Sequence, residues 1–267
     1  MASGKYKDIL VEKRGGVGWV TFNRPDRFNA CDFAMFQEIV WGIREVSEDP
    51  KIGVIVLTGT GDKSFCTGGY LADLATFTST NEVRKLFNLA QETYNIMRHA
   101  PQPVIAAVNG AAVGGGNEFV VCSDLAIASD RARFGQAGTR IGSSPIFGAN
   151  NLMSLQIGEK KTKELCFFSR MYSAHEALEM GLINKVVPHE KLHEEVHAWA
   201  EELLDKSPAY LELTKITSNV WWDMLQPAIE HAKQTLVRLA GGPEQTEGAS
   251  AFMAKRKNQG RGAARSS

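Results

Sequence analysis

The stretch Val104-Ile-Ala-Ala-Val-Asn-Gly-Ala-Ala-Val-Gly-Gly-Gly-Asn-Glu-Phe-Val-Val-Cys-Ser-Asp124 decides the fold. Val104 to Val108 is an apolar run of strand length, and Asn109-Gly110 breaks it as a turn does. Gly114, Gly115 and Gly116 remove three side chains in succession, and Asn117 to Asp124 reads as the opening turns of a buried helix. A strand, a glycine run and a helix start bring a ligand onto bare backbone N–H groups. The first N–H groups of a helix have no internal acceptor, and the helix dipole adds partial positive charge there. Glu118 follows at once, so a carboxyl group stands beside whatever those amides hold.

Upstream, the chain prepares this element twice over. Ile9 to Glu12 and Val17 to Phe22 read as strands around an Arg14-Gly15-Gly16 turn. Arg24 and Arg27 sit in the loop that follows, where either could meet an anion or simply be solvated. Phe33, Phe36, Ile39, Val40 and Ile43 keep a helical spacing, and Ile52 to Leu57 is apolar enough for a strand covered on both faces. That strand runs into Thr58-Gly-Thr-Gly-Asp-Lys-Ser-Phe-Cys-Thr-Gly-Gly-Tyr70, a second glycine-rich loop where backbone can touch a ligand. No histidine is near Cys66 in sequence, so the thiol is not read as a nucleophile. Val83 to Arg98 is an amphipathic helix ended by Pro101-Gln-Pro103.

Downstream, Leu125 to Ser129 is a strand, and Arg133 to Gly148 reads as one long ordered loop whose Phe134, Ile141, Ile146 and Phe147 line a pocket. Asn151 to Phe168 reads as one helix. Ser173 with Glu176 forms a capping box for a helix that Gly181 ends, and Ile183 to Val187 is a strand. Leu192 to Leu204 is an amphipathic helix containing His193-Glu-Glu-Val-His197. That matches a zinc-binding pattern, but the helix is studded with exposed-looking acids, and His189 only extends a ladder along one face. Ser207-Pro208 opens helices whose Trp221, Trp222, Met224 and Leu225 call for docking on the core or on another subunit. Gly241-Gly-Pro243 breaks them, and a last short helix follows at Glu247 to Lys255.

The chain has 267 residues, 43% of them hydrophobic, which is one large domain with at most an appendage. Thirty basic and thirty acidic residues cancel, which argues against a nucleic-acid binder. Cys31, Cys66, Cys122 and Cys166 are scattered without a CxxC pair, as in reduced cytoplasmic proteins, and no secretory leader or membrane span is expected.

Several motifs in order resemble the enoyl-CoA hydratase/isomerase, or crotonase, superfamily. They are Asn23-Arg-Pro with Asn29-Ala30, Phe65-Cys-Thr-Gly-Gly69, Ile105 to Gly116, Phe134-Gly-Gln136, Ser173 to Asn184, and Glu247-Gly248 with Ala251-Phe252. The resemblance implies an α/β fold: a spiral of strand-strand-helix turns over residues 1–205. It also implies a C-terminal helical trimerisation region over 206–257; the Gly, Ala, Arg and Ser of 258–267 read as a frayed tail. Trimers, often paired into hexamers, and an acyl-CoA substrate come with the resemblance. The oxyanion hole would be the backbone N–H groups of Gly69 and Gly115, holding the thioester oxygen as it becomes an enolate. Contacts to substrate and coenzyme A are expected from Arg27, Ala30, Thr67, Gly68, Tyr70, Leu71, Gly114, Gly138 and Lys255, with no metal and no separate cofactor.

The family's hydratases place two glutamates on the substrate. Glu118 stands at the first position, and Gly138 stands where the second belongs. Gly138 leaves a space for water or bicarbonate, as in the dihydroxynaphthoyl-CoA synthase branch, although Ala240 and Pro145 depart from that branch. The run Phe134 to Gly138 with Gly142-Ser-Ser-Pro-Ile-Phe-Gly-Ala149 is more similar to ring-opening hydrolases of cyclic β-oxoacyl-CoA in aromatic breakdown. The expectation is therefore a C–C hydrolase in which Glu118 activates water and Ser143 orients it or a ring carbonyl. The alternatives are a single-glutamate hydratase, dehydratase or isomerase, and a non-catalytic CoA-binding protein.

Overall fold

The computed structural model describes residues 5–69 and 79–257. Tyr70, Leu71 and the tail at 258–267 lie outside the described residues. Among those described, three successive rounds of the chain each give one strand to a large sheet and one to a small sheet, then a helix. After the hairpin β1 (Ile9–Arg14) and β2 (Val17–Phe22) comes α1 (Phe33–Ser47). The rounds are β3 (Val54–Gly59), β4 (Ser64–Cys66), α2 (Thr80–His99); then β5 (Val104–Val108), β6 (Ala111–Val113), α3 (Gly115–Cys122). The third is β7 (Leu125–Ser129), β8 (Arg133–Gly135) and the helices α4 (Gly138–Ile141), α5 (Ala149–Ile157) and α6 (Glu159–Phe168). β9 (Met171–Ser173), α7 (Ala174–Glu179), β10 (Lys185–Val187) and α8 (Leu192–Leu204) close the spiral. The C-terminal helices are α9 (Pro208–Ser218), α10 (Val220–Leu239) and α11 (Pro243–Met253).

The large sheet has the order β1-β2-β3-β5-β7-β10 and is parallel from β2 onward; the small one is β4-β6-β8-β9. Strand alternation splits the core. Val54, Val56, Ile105, Ala107 and Ile127 face Val196 and Ala200 of α8. Ile55, Leu57, Val104, Ala106 and Val108 face the opposite layer, with Phe36, Ile39, Tyr94 and Phe119. Each fully buried Ile, Leu or Val contributes roughly 1.5–3 kcal/mol. Burial on both faces is why these strands read as unbroken apolar runs.

Local chemistry sets the helix ends. The Asp32 carboxylate accepts the Met35 N–H at 2.9 Å at the start of α1, and Ser173 and Glu176 form the expected capping box of α7. The Leu192–Leu204 helix stands as expected, and its histidines part company. The His193 ring lies 5.5 Å from the Trp19 ring. Its pKa is lowered, first by burial and then by Arg14. Nδ1 of His189 is 3.0 Å from Ser129 Oγ, and His197 lies beside Glu201. Among the described residues no three His, Cys, Asp or Glu converge as metal ligands.

Two expectations need correction. The stretch 133–148 is not one loop: it contributes β8 to the small sheet and then α4. The helix expected over 151–168 is two, because Gly158 adopts φ +81° between α5 and α6. The tryptophan pair also divides. Trp222 is fully buried, its indole N–H donating to Asn95 Oδ1 at 3.2 Å, whereas Trp221 and Met224 face outward.

Candidate active site

β4, β6 and β8 run parallel and end on the same side of the small sheet. Their carboxyl ends, the usual ligand side of such strands, deliver Thr67-Gly68-Gly69, Gly114-Gly115 and Gln136-Ala137-Gly138 to one place. The first two segments touch. A Cβ on Gly68 would lie 2.6 Å from the Gly115 nitrogen, and one on Gly115 would lie 3.1 Å from the Gly68 Cα. Gly68 and Gly114 adopt φ of +81° and +57°, where side chains are strained. Only glycine permits this approach. One residue on, a Cβ on Gly116 would overlap the Cys66 carbonyl oxygen.

The Gly68 segment is held from the other side. The Cys31 N–H donates to the Gly68 carbonyl at 2.7 Å, and Cys31 pairs with Gly69 in a parallel bridge. The Gly69 N–H shares a trans peptide unit with that carbonyl and points the opposite way, so it is directed away from Cys31. Gly115 opens α3, where the N–H groups of the first turn have no intrahelical acceptor. Gln136, itself buried, donates its side-chain N–H to the Gly114 carbonyl at 3.3 Å. That carbonyl shares its peptide unit with the Gly115 N–H, so the bond both locates and polarises the donor.

Glu118 is 5% exposed, and its Oε2 has no hydrogen-bond partner among the described residues. The helix start favours a carboxylate there, but burial opposes it and wins: the carboxyl is pushed up to about 8. Tyr94 and Phe119 pack with ring centroids 5.1 Å apart, and Tyr94 and Phe147 at 5.9 Å, which builds an apolar wall in this region. Burial holds the Tyr94 phenol well above its ordinary value, and the nearby Glu118 adds to that. The site thus pairs backbone donors with a carboxyl whose protonated and ionised forms both lie within reach near neutral pH. It can stabilise negative charge on an oxygen and pass a proton to an adjacent carbon.

Gly138 is walled by backbone on the side where a side chain would project. A Cβ there would meet the Ser143 carbonyl oxygen at 2.7 Å and the Ser144 Cα at 3.1 Å. In the direction of a side chain, Gly138 therefore faces backbone. The Ser143 N–H donates to the Gly138 carbonyl at 2.7 Å, which closes the α4 turn. α11 backs this turn, since a Cβ on Gly248 would lie 2.7 Å from the Ile141 carbonyl carbon.

The remaining candidates scatter. Ala30 is buried beside Cys31, and the Thr67 hydroxyl donates to the Phe28 carbonyl at 3.2 Å. Arg27 is half exposed, with Asp26 at 3.9 Å. Lys255 is exposed at the end of α11. Arg24 is no anion site, being buried between Asp8 and Asp32. Cys66 is fully buried, its sulfur 3.8 Å from that of Cys31. A surface groove around Trp41, Arg44 and Glu45 is lined by none of these residues. Sequence reasoning passed over Tyr94 and the Gln136 bond. Three-residue strands carry no periodicity that could have announced the sheet that gathers them.

The spiral of paired strands and the facing glycine turns define a crotonase-type fold, and the comparisons agree. The enoyl-CoA hydratase/isomerase family model matches residues 12–262, so the chain belongs to that family. It is similar to a crotonyl-CoA hydratase of Syntrophomonas wolfei subsp. wolfei, 34% identical over 94% of this chain and 97% of the relative. Among solved structures it resembles an enoyl-CoA hydratase from Mycobacterium avium subsp. paratuberculosis K-10. There the TM-score is 0.86 and the identity 26%, over 95% of this chain and 98% of the other. A carnitinyl-CoA hydratase from Mycobacterium avium gives a TM-score of 0.83 at 30% identity, over 95% and 98%. These relatives fit a hydratase-type enzyme acting on an acyl-CoA, and lend no support to the ring-opening branch.

Proposed function

We propose that this chain adds water across the C2–C3 double bond of an enoyl-CoA, with Glu118 as its only catalytic carboxyl. The observation that supports it is the contact of the Gly68-Gly69 and Gly114-Gly115 segments beside a buried Glu118 whose Oε2 has no partner among the described residues. The thioester oxygen sits between the N–H groups of Gly69 and Gly115. Glu118, as carboxylate, takes a proton from water while the new C–O bond forms at C3 and the electron pair moves to the thioester oxygen. The enolate then collapses: C2 takes the proton from Glu118, the carbonyl re-forms, and the carboxylate is regenerated. Fixed donors matter because charge grows on that oxygen; losing one costs about 10²–10³ in rate. In this reading Ser143 orients the water, and Arg27 and Lys255 meet the coenzyme end.

A second reading, water attack on a cyclic β-oxoacyl-CoA with C–C cleavage, draws on the missing second carboxyl at Gly138. The reading also takes the protein as a cytoplasmic homotrimer or hexamer. Phe167 and Phe168, 66% and 64% exposed, offer apolar surface for neighbours, and the cysteines are unbridged. The test is a panel of linear and cyclic acyl-CoA thioesters read by mass spectrometry. Hydration of crotonyl-CoA is expected; turnover of the cyclic substrate alone would replace the first reading with the second.

A further inference from the structure

We propose that Tyr94 is a positioning residue that fixes the first turn of α3, and with it both the Gly115 N–H and the Glu118 carboxyl. This rests on the acyl-CoA reading above. Tyr94 comes from α2, outside the glycine loops, and is only 1% exposed. Its ring packs on Phe119 and Phe147, a role phenylalanine would fill equally well. Packing therefore explains the ring and leaves the hydroxyl unexplained. Burying a hydroxyl is unfavourable unless it is bonded. This one donates to the Gly115 carbonyl at 3.3 Å.

That bond is placed where side chains cannot help. Gly114, Gly115 and Gly116 have nothing to anchor, and Gly is the most freely moving residue. The turn is held by bonds to its backbone: the Gly114 N–H donates to the Gly135 carbonyl at 2.9 Å, and the carbonyls take the rest. Gly114 receives the Gln136 amide at 3.3 Å and the Glu118 N–H at 3.0 Å; Gly115 receives Tyr94. Gly115 and Glu118 are three residues apart on one helical turn, so a tilt displaces the oxyanion donor and the proton carrier together. Misplacement by about 1 Å can cost about a hundredfold in rate.

The experiment compares wild type, Tyr94→Phe and Tyr94→Leu in two assays. One is hydration of crotonyl-CoA. The other is deuterium uptake from D₂O at the α-carbon of butyryl-CoA, which can enolise but has no double bond to hydrate. Tyr94→Phe is expected to lower the rate constant about 10- to 100-fold in both, with KM within about twofold and an unchanged melting temperature. Wild-type rates in Tyr94→Phe, with loss only in Tyr94→Leu, would overturn the proposal, since the ring alone would matter. A Tyr94→Phe defect confined to KM or to melting would overturn it as well. A wild type that exchanges α-protons without hydrating removes the hydratase reading and still reports on Tyr94. One that does neither overturns both.

Discussion

The Cβ that Gly138 lacks would lie 2.7 Å from the carbonyl oxygen of Ser143. The family's second glutamate is therefore not merely absent; the backbone of the Ser143 turn occupies its path. Gly138→Ala is expected to destabilise the fold by roughly 1–3 kcal/mol through overpacking, seen as a lower melting temperature. Gly138→Glu should not raise hydration of crotonyl-CoA. A folded Gly138→Glu protein with a higher kcat would sink this account.

Glu118 must be ionised to accept a proton, yet burial holds its carboxyl at about 8. The rate should rise with pH through that region, and Glu118→Gln should lose both the limb and nearly all activity. Stability runs the other way. The folded carboxyl keeps its proton above the ordinary value of 4.5 where the unfolded chain has lost it. Its contribution therefore falls as pH rises from that value toward 8. Glu118→Gln should melt higher than wild type at pH 8 and close to it at pH 5. Equal melting differences at both pH values would contradict the buried, unpaired carboxyl.

Gly116→Ala asks for a methyl group inside the Cys66 carbonyl oxygen, and backbone cannot step aside as a flexible side chain would. The expected result is no folded protein, or one whose α3 has shifted and whose activity is lost. Circular dichroism with a hydration assay would decide; a stable, active Gly116→Ala variant would show that β4 and α3 are not in contact.

Asp124 ties the C-terminal helices to the spiral. Its carboxylate accepts the Val104 N–H at 2.8 Å and meets Lys215 Nζ of α9 at 2.7 Å. Lys215 also donates to the carbonyls of Met97 and Gln102, and Asn219 exchanges bonds with Arg98. Lys215 is buried, and without it the Asp124 carboxylate keeps only the Arg98 guanidinium at 3.8 Å. Lys215→Met is expected to cost about 3 kcal/mol, the low end for breaking a buried pair, and adding Asp124→Asn should recover part of it. Denaturant melts of the single and double variants measure the coupling; independent, additive losses would refute it.

How much was legible follows from what each feature needs. β5 stood at Val104–Val108 as expected, because a strand buried on both faces is written as an apolar run. The glycine turns and Glu118 were legible because adjacency in sequence sets the spacing of a helix start. Gly158 was missed as a helix break, since the apolar pattern runs across it and only its backbone conformation interrupts the helix. Arg24 was ambiguous until Asp8 and Asp32, 16 and 8 positions away in number, closed on it.

The strands of the large sheet, the glycine turns, the single carboxyl beside Gly115, and the family were determined by sequence alone, because each rests on short-range pattern. Three things were decided only by the folded chain: the meeting of Gly68 with Gly115, the blocked path at Gly138, and the Tyr94 bond to the glycine turn. Each joins segments far apart in number through three-residue strands and a distant helix. Such contacts are set by how layers pack, and packing leaves no period in the sequence.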